Sequence, residues 1–252
     1  MKNRLKYFIT VINFNFIRLF LKKSKPIFSS ILVIAPHPDD EIIGLSGVIL
    51  QTIKNKGEVF ILFLTDGEGS KADNDLKKIK IERIKLSEKI LNSINISSEK
   101  IFRFHLKDGE IPNKNDENFD VVSLKLAELI DELKPKTIFS THEFDYWPFD
   151  HVACSNLAIN ALKNSNHNCE LWFYWVWTWH HLKPLKLKSI FKSKSTIVSI
   201  KQELKIKKKL ISDYLTPESS FNKPWSGELP KSMIYPFSKA IEVIEKYENE
   251  KK

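Results

Sequence analysis

Cysteine is nearly absent: Cys154 and Cys169 are the whole complement, which excludes a disulfide framework and a zinc site built on thiolates. A reducing, cytoplasmic setting is the expectation that follows. Glycine and proline are modest, at 7 and 11 residues, far from the composition of fibrous or disordered chains. Long apolar runs are also missing. The most apolar N-terminal stretch, residues 7–21, is interrupted by Asn13, Asn15 and Arg18 and falls short of the roughly 18 residues of a spanning helix. No small-residue cleavage site follows it, so removal as a signal peptide is not expected. The 40 Lys and Arg exceed the 31 Asp and Glu, giving +9, yet no compact Arg cluster interleaved with aromatics marks a nucleic-acid groove. A phosphorylated substrate or an anionic membrane surface remains as the partner of that charge.

At 252 residues and 42% hydrophobic content, the chain can bury one sizeable core and is too short for two comfortable domains. One domain is expected over residues 30–252, preceded by a basic, apolar segment over residues 1–29. Two readings of that segment stay open. It is either an interfacial helix making peripheral contact with the inner face of the membrane, or an extra helix packed on the domain.

Ser30–Ala35 (SILVIA) is a continuous β-branched run, the pattern of a strand buried on both faces of a parallel sheet. A helix over residues 41–54 and a second buried strand over residues 58–64 complete a βαβ unit, closed by the turn at Asp66-Gly67. The pattern continues with a helix at residues 75–91, a strand at 100–106, a helix at 121–133 stopped by Pro135, and a strand at Thr137–Thr141. Then come a helix at residues 151–163, an aromatic strand at 171–177 and a Lys-rich helix at 201–214. A loop over residues 216–236 leads to a final helix at 237–247 and a charged tail. Such alternation describes an α/β fold of three layers, a mostly parallel sheet between helices, with ligands at the carboxyl ends of the strands.

The chemistry-bearing segment is Ala35-Pro36-His37-Pro38-Asp39-Asp40-Glu41, which puts an imidazole and three carboxylates at the end of the first buried strand. Acids clustered without a cation repel one another, and a bound divalent ion removes that cost. Asp150-His151 follows a later strand and precedes a helix, and loops of neighbouring parallel strands can lie side by side. His37, Asp40 and His151 then make a site of two imidazoles and a carboxylate with open positions, as catalytic zinc sites have. Asp39, next to a ligand, is placed to take a proton from water.

This segment resembles the AHPDDE signature of the LmbE/PIG-L-like de-N-acetylase family, and Asp150-His151 resembles the end of its second signature, H-x-D-H ahead of a helix. Leu64-Thr65-Asp66-Gly67-Glu68 is similar to the family's second-strand turn, and residues 104–109 to its third-strand end, so the likeness runs from residue 30 to residue 163. The resemblance implies a single Rossmann-like domain, Zn2+ on His37, Asp40 and His151, Asp39 as general base, and Asp150 orienting the site from behind the ligands. It implies removal of acetyl from an N-acetylated amino sugar, nucleotide- or lipid-linked in glycan assembly. One position departs from the pattern: Pro148 stands where the family has the His that stabilises the oxyanion. His142, His180 and His181 are the candidates to replace it. Without a replacement, activity is weak or altered; a competing reading is a non-catalytic carbohydrate-binding relative, and a third is a membrane-surface interaction protein acting through residues 1–29.

Other residues carry two readings each. Asp66 and Glu68 either contact substrate or shape the turn beside Gly67. Arg83 either meets a substrate phosphate or hydroxyl or lies on a solvated helix face. Trp172, Tyr174, Trp175, Trp177 and Trp179 either stack on a sugar ring or fill the core.

Overall fold

The computed structural model describes residues 2–183, 190 and 194–248. It opens with helix α1 (Lys2–Phe20), a two-residue strand β1 (Lys23–Ser24), β2 (Ser30–Ala35), α2 (Asp40–Lys54) and β3 (Glu58–Thr65). Next come α3 (Leu76–Asn92), β4 (Ile101–Leu106), α4 (Phe119–Leu133), β5 (Thr137–Thr141), α5 (Phe149–Asn164), β6 (Glu170–Tyr174) and α6 (Thr178–His181). The C-terminal part adds β7 (Ser195–Ser199), α7 (Leu204–Leu215), α8 (Lys231–Phe237) and β8 (Ile241–Lys246). These strands form one 8-stranded sheet in the order β1-β7-β8-β6-β5-β2-β3-β4. Every pairing is parallel except those of β8, which runs antiparallel to β6 and β7.

The sheet explains why SILVIA lacks polar alternation. Ile31, Val33 and Ala35 face one core with Ile42 and Ile43 of α2 and Leu210 of α7. Leu32 and Ile34 face the other, with Leu126 and Ile130 of α4 and Leu157 of α5. Each buried Ile, Leu or Val side chain contributes roughly 1.5–3 kcal/mol on full burial, so this strand is the anchor of both layers. The first loop after it is therefore held rigidly at the sheet's carboxyl edge.

The C-terminal third differs from the sequence expectation. The final helix expected at residues 237–247 is corrected to a strand, β8 (Ile241–Lys246), and the preceding helix α8 occupies the end of the expected loop and Phe237. The physical reason is tertiary. Ile241, Val243 and Ile244 fill a slot between β6 and β7, and Glu242, polar as a solvated helix face would be, is buried instead. It accepts from the backbone N–H of Gly47 (2.7 Å) and Val48 (2.9 Å) and pairs with the Lys207 ammonium in the interior. β7 was not foreseen, and the aromatic strand ends at Tyr174, so Trp175, Val176 and Trp177 leave the sheet. The charged tail, from residue 249, lies outside the described residues.

Helix α1 packs on α6 and α8. Phe14, Ile17 and Leu21 are buried, and the Phe14 ring meets Tyr235 at 5.7 Å. Among the described residues no helix is long and apolar enough to cross a membrane.

Candidate active site

The chain turns sharply where β2 gives way to α2. Asp39 precedes the helix with φ 128°, a backbone region that non-glycine residues avoid. Its N–H donates to Glu41 Oε2 (2.9 Å), its carbonyl accepts from Ile43 N–H (2.8 Å), and Glu41 in turn accepts from the Tyr214 hydroxyl (2.6 Å). Arg83, buried on α3, closes the turn from the other side. Its Nη2 lies 3.2 Å from Asp39 Oδ2 and donates to the Pro38 carbonyl, while Nη1 donates to the Gly67 carbonyl (3.0 Å). Burial pushes the Asp39 carboxyl up to about 7 against the pull of Arg83, and burial pushes Glu41 up to about 8 against its hydrogen bond from Tyr214.

Three side chains converge beside this turn. Asp40 Oδ2 is 3.2 Å from His37 Nδ1 and 3.4 Å from His151 Nε2, and His37, Asp40 and His151 form a group able to hold one ion. The far nitrogen of each imidazole is tied to carboxylate. His37 Nε2 is 3.2 Å from both Asp108 Oδ1 and Asp150 Oδ2; His151 Nδ1 is 3.2 Å from Asp145 Oδ2. A carboxylate partner fixes the proton on that nitrogen and leaves the other lone pair free for a metal. The fit to a divalent ion rests on an orphan: His151 Nε2 is buried and has no hydrogen-bond partner. Burial disfavours charge on His37, but Asp108, Asp150 and Asp40 outweigh it and hold its pKa well above the ordinary value. Burial likewise opposes the Asp40 carboxylate, and His151 with His37 keeps it below the usual range.

Two of these supports were not read from the sequence. Asp145 is fully buried and accepts from His151, Val176 N–H (3.2 Å), Thr178 N–H (2.5 Å) and the Thr178 hydroxyl. No periodicity flags an acid six residues before a histidine. Asp108 looked like the end of a strand turn; it also accepts from Gly69 N–H (2.8 Å) and so ties the β3 loop to His37. Asp150 accepts from Gly109 N–H (2.7 Å) and Ile111 N–H (3.3 Å) and lies 3.2 Å from His37 Nε2.

The group opens into a cleft of about 500 Å³ whose walls include Asp39, Arg83, Trp147, Pro148, Trp177 and Lys223. Several expected residues lie elsewhere. Asp66 is buried beneath the cleft, paired with Lys80 (2.8 Å), Arg103 (3.6 Å) and His105 (2.7 Å). Glu68 accepts from Asp108 N–H and so shapes the loop. His142 is buried 3.2 Å from Glu245, and His180 is held by Ser232 (2.7 Å) and Lys6 (3.0 Å); neither lines the cleft, nor does His181. Pro148 itself does. Of the aromatic run, Trp177 alone forms cleft wall, and Tyr174, Trp175 and Trp179 are core.

The family model of the GlcNAc-PI de-N-acetylases, PIG-L, matches residues 32–162, more than half of the chain. The protein belongs to the PIG-L family. Diacetylchitobiose deacetylase of Thermococcus kodakarensis is 29% identical over 94 residues, which span 37% of this chain and only 35% of that relative. Among solved structures, the N,N'-diacetylchitobiose deacetylase from Pyrococcus horikoshii superposes with a TM-score of 0.58 at 21% identity, over 74% of this chain and 69% of that one. A zinc-inhibited form of teicoplanin deacetylase Orf2 gives 0.62 at 13% identity, over 86% and 97%. A 4-carboxy-2-hydroxymuconate hydratase from Pseudomonas putida KT2440 gives 0.57 at 17% identity, over 73% and 78%. The PIG-L fold thus also carries a hydratase, and the chemistry of a member has to be argued from its site.

Proposed function

We propose that this PIG-L member is a zinc-dependent hydrolase that removes acetyl from an N-acetylated amino sugar bearing an anionic substituent, such as a nucleotide- or lipid-linked phosphate. One observation carries the reading: a buried His151 Nε2 that makes no hydrogen bond and the His37 imidazole converge on Asp40, with Asp39 beside them in an open cleft. His37, Asp40 and His151 are the residues that would hold Zn2+, which when bound would supply Lewis-acid polarisation of an acetyl carbonyl and a lowered pKa of water. Asp39 accepts the proton that the attacking water releases, with Arg83 fixing the carboxylate's direction. The amide C–N bond breaks, Asp39 returns the proton to the departing nitrogen, and acetate and a free amine leave. Asp150 and Asp108 hold His37, and Asp145 holds His151, so that neither ring turns during turnover. Lys71 and Lys223 line the same cleft and form no ion pair among the described residues, which suits an anionic substituent on the sugar.

Pro148 in the cleft wall, with none of the three candidate histidines among the lining residues, favours a second reading: a carbohydrate binder without turnover. Acetate release from a panel of N-acetylglucosamine conjugates, measured together with metal content, separates the two. The hydrolase reading expects about one zinc per chain, loss of metal in His37→Ala, and retained metal without turnover in Asp39→Ala. Zinc and sugar binding with no acetate released would leave the binder; a chain that takes up no metal sinks both the ligand set and the mechanism.

A further inference from the structure

Helix α1 buries two polar side chains beside Phe14, Ile17 and Leu21 and leaves a second set of apolar side chains outside. Thr10 and Asn13 are buried against the domain, donating to the Trp179 and Leu182 carbonyls at 3.4 and 2.9 Å. On the opposite side Leu5, Phe8, Ile12 and Leu19 are 60, 61, 49 and 70% exposed. Their spacing places them on one stripe of the helix, about half a turn from the packed residues Phe14, Ile17 and Leu21. Scattered exposed apolar residues are ordinary on a soluble protein; a continuous stripe marks a surface that meets something.

The charge of the same segment selects what it meets. Residues 1–25 hold seven Lys and Arg and no Asp or Glu, grouped at residues 2–6 and 18–25, one group at each end of the stripe. A second copy docked face to face would set those cations against their own kind, whereas an anionic bilayer complements them. The packed side of the same helix leads towards the cleft. Lys6 Nζ is 3.0 Å from His180 Nε2, the His180 ring stands 5.7 Å from Trp177, and Trp177 stands 5.1 Å from Trp147, both tryptophans being cleft wall. Trp147, itself cleft wall, is 53% exposed, and its neighbours Tyr146 and Phe149 are 50 and 76% exposed.

We infer that α1 is a docking helix for an anionic lipid bilayer. The stripe seats at the headgroup and acyl boundary, the flanking cations meet lipid phosphates, and the helix lies in the interface without crossing it. The inference stands whether or not the cleft hydrolyses its ligand, because its readout is partition and not turnover.

The test is sedimentation of the full chain with vesicles of phosphatidylcholine alone and of phosphatidylcholine mixed with phosphatidylglycerol. Wild type is expected to pellet with the anionic vesicles and to be released by salt. The double variant Phe8→Gln/Leu19→Gln loses at least about tenfold of that partition, with circular dichroism and Tm unchanged because both side chains are exposed. Lys22→Glu/Lys23→Glu weakens binding and leaves the Tm in place. Wild type remaining in the supernatant, or a Phe8→Gln/Leu19→Gln protein that binds as well as wild type, overturns the inference. So does a concentration-dependent dimer that this variant abolishes, which assigns the stripe to a second copy.

Discussion

Replacing Asp145 by Asn exchanges one oxygen for an amide nitrogen in a residue that does not line the cleft. In the wild type this carboxylate accepts from His151 Nδ1, Val176 N–H, Thr178 N–H and the Thr178 hydroxyl, and it is fully buried. Asn keeps one oxygen and presents two new donors to a pocket already filled with donors. At least one buried group is left unsatisfied, which costs about 1–3 kcal/mol of stability. A second effect follows at the other end of the imidazole. Without a carboxylate on Nδ1 the tautomer that bares Nε2 is no longer enforced, and loss of such a support weakens metal binding about 10–100-fold. That is about 1.4–2.7 kcal/mol in the metal equilibrium. Chelator competition for zinc gives the affinity, and calorimetry with and without chelator gives the stability, so the two effects are read separately. An Asp145→Asn protein whose metal-free Tm falls while its zinc affinity equals that of wild type would refute the argument, and would reduce Asp145 to a staple of the β5–α5 loop.

Arg83→Met removes the clamp on Asp39 and on the Pro38 and Gly67 carbonyls; acetate release is expected to fall by about 10²–10⁴, the range of a misplaced proton acceptor, with zinc content unchanged, and a fall confined to KM contradicts the positioning role. Lys207→Met leaves Glu242 buried without its cation and is expected to cost about 3–5 kcal/mol in urea unfolding. Burial holds the Lys207 pKa below its unfolded value of 10.5, so the unfolded chain binds more protons and stability rises as pH climbs through the lowered pKa towards 10.5; a Lys207→Met protein showing the same rise excludes Lys207 as its source. Zinc added at 100 times its Kd is expected to raise stability by about 2.7 kcal/mol over the chelated protein, and His151→Ala should abolish the rise.

What was legible in the sequence was whatever local pattern enforces. SILVIA could only be a strand buried twice, and HPDD after it could only be a loop at the sheet's carboxyl edge, so the converging group of His37, Asp40 and His151 was readable before any coordinate. What was not legible depends on partners distant in the chain. IEVIEK reads as a helix until Lys207 and the α2 backbone are there to receive Glu242. Asp145 carries no signal because its meaning comes from Thr178, thirty-three residues later. His142 was one of three candidates to replace the histidine missing at Pro148, but it follows β5 into contact with Glu245 and does not line the cleft.

The cleft is assembled from two stretches of chain with separate duties. The residues that would handle metal and proton, His37, Asp39, Asp40, Arg83 and His151, all fall within the matched residues 32–162. Trp177, Lys223 and Met233, which line the same cleft, all come later in the chain. Substitution in the later stretch can therefore change which molecule is admitted while the reacting end stays as it is. A fold divided in this way lets new substrates be tried at little risk to the chemistry, as long as β8 keeps Glu242 fastened to the helix that carries Asp40.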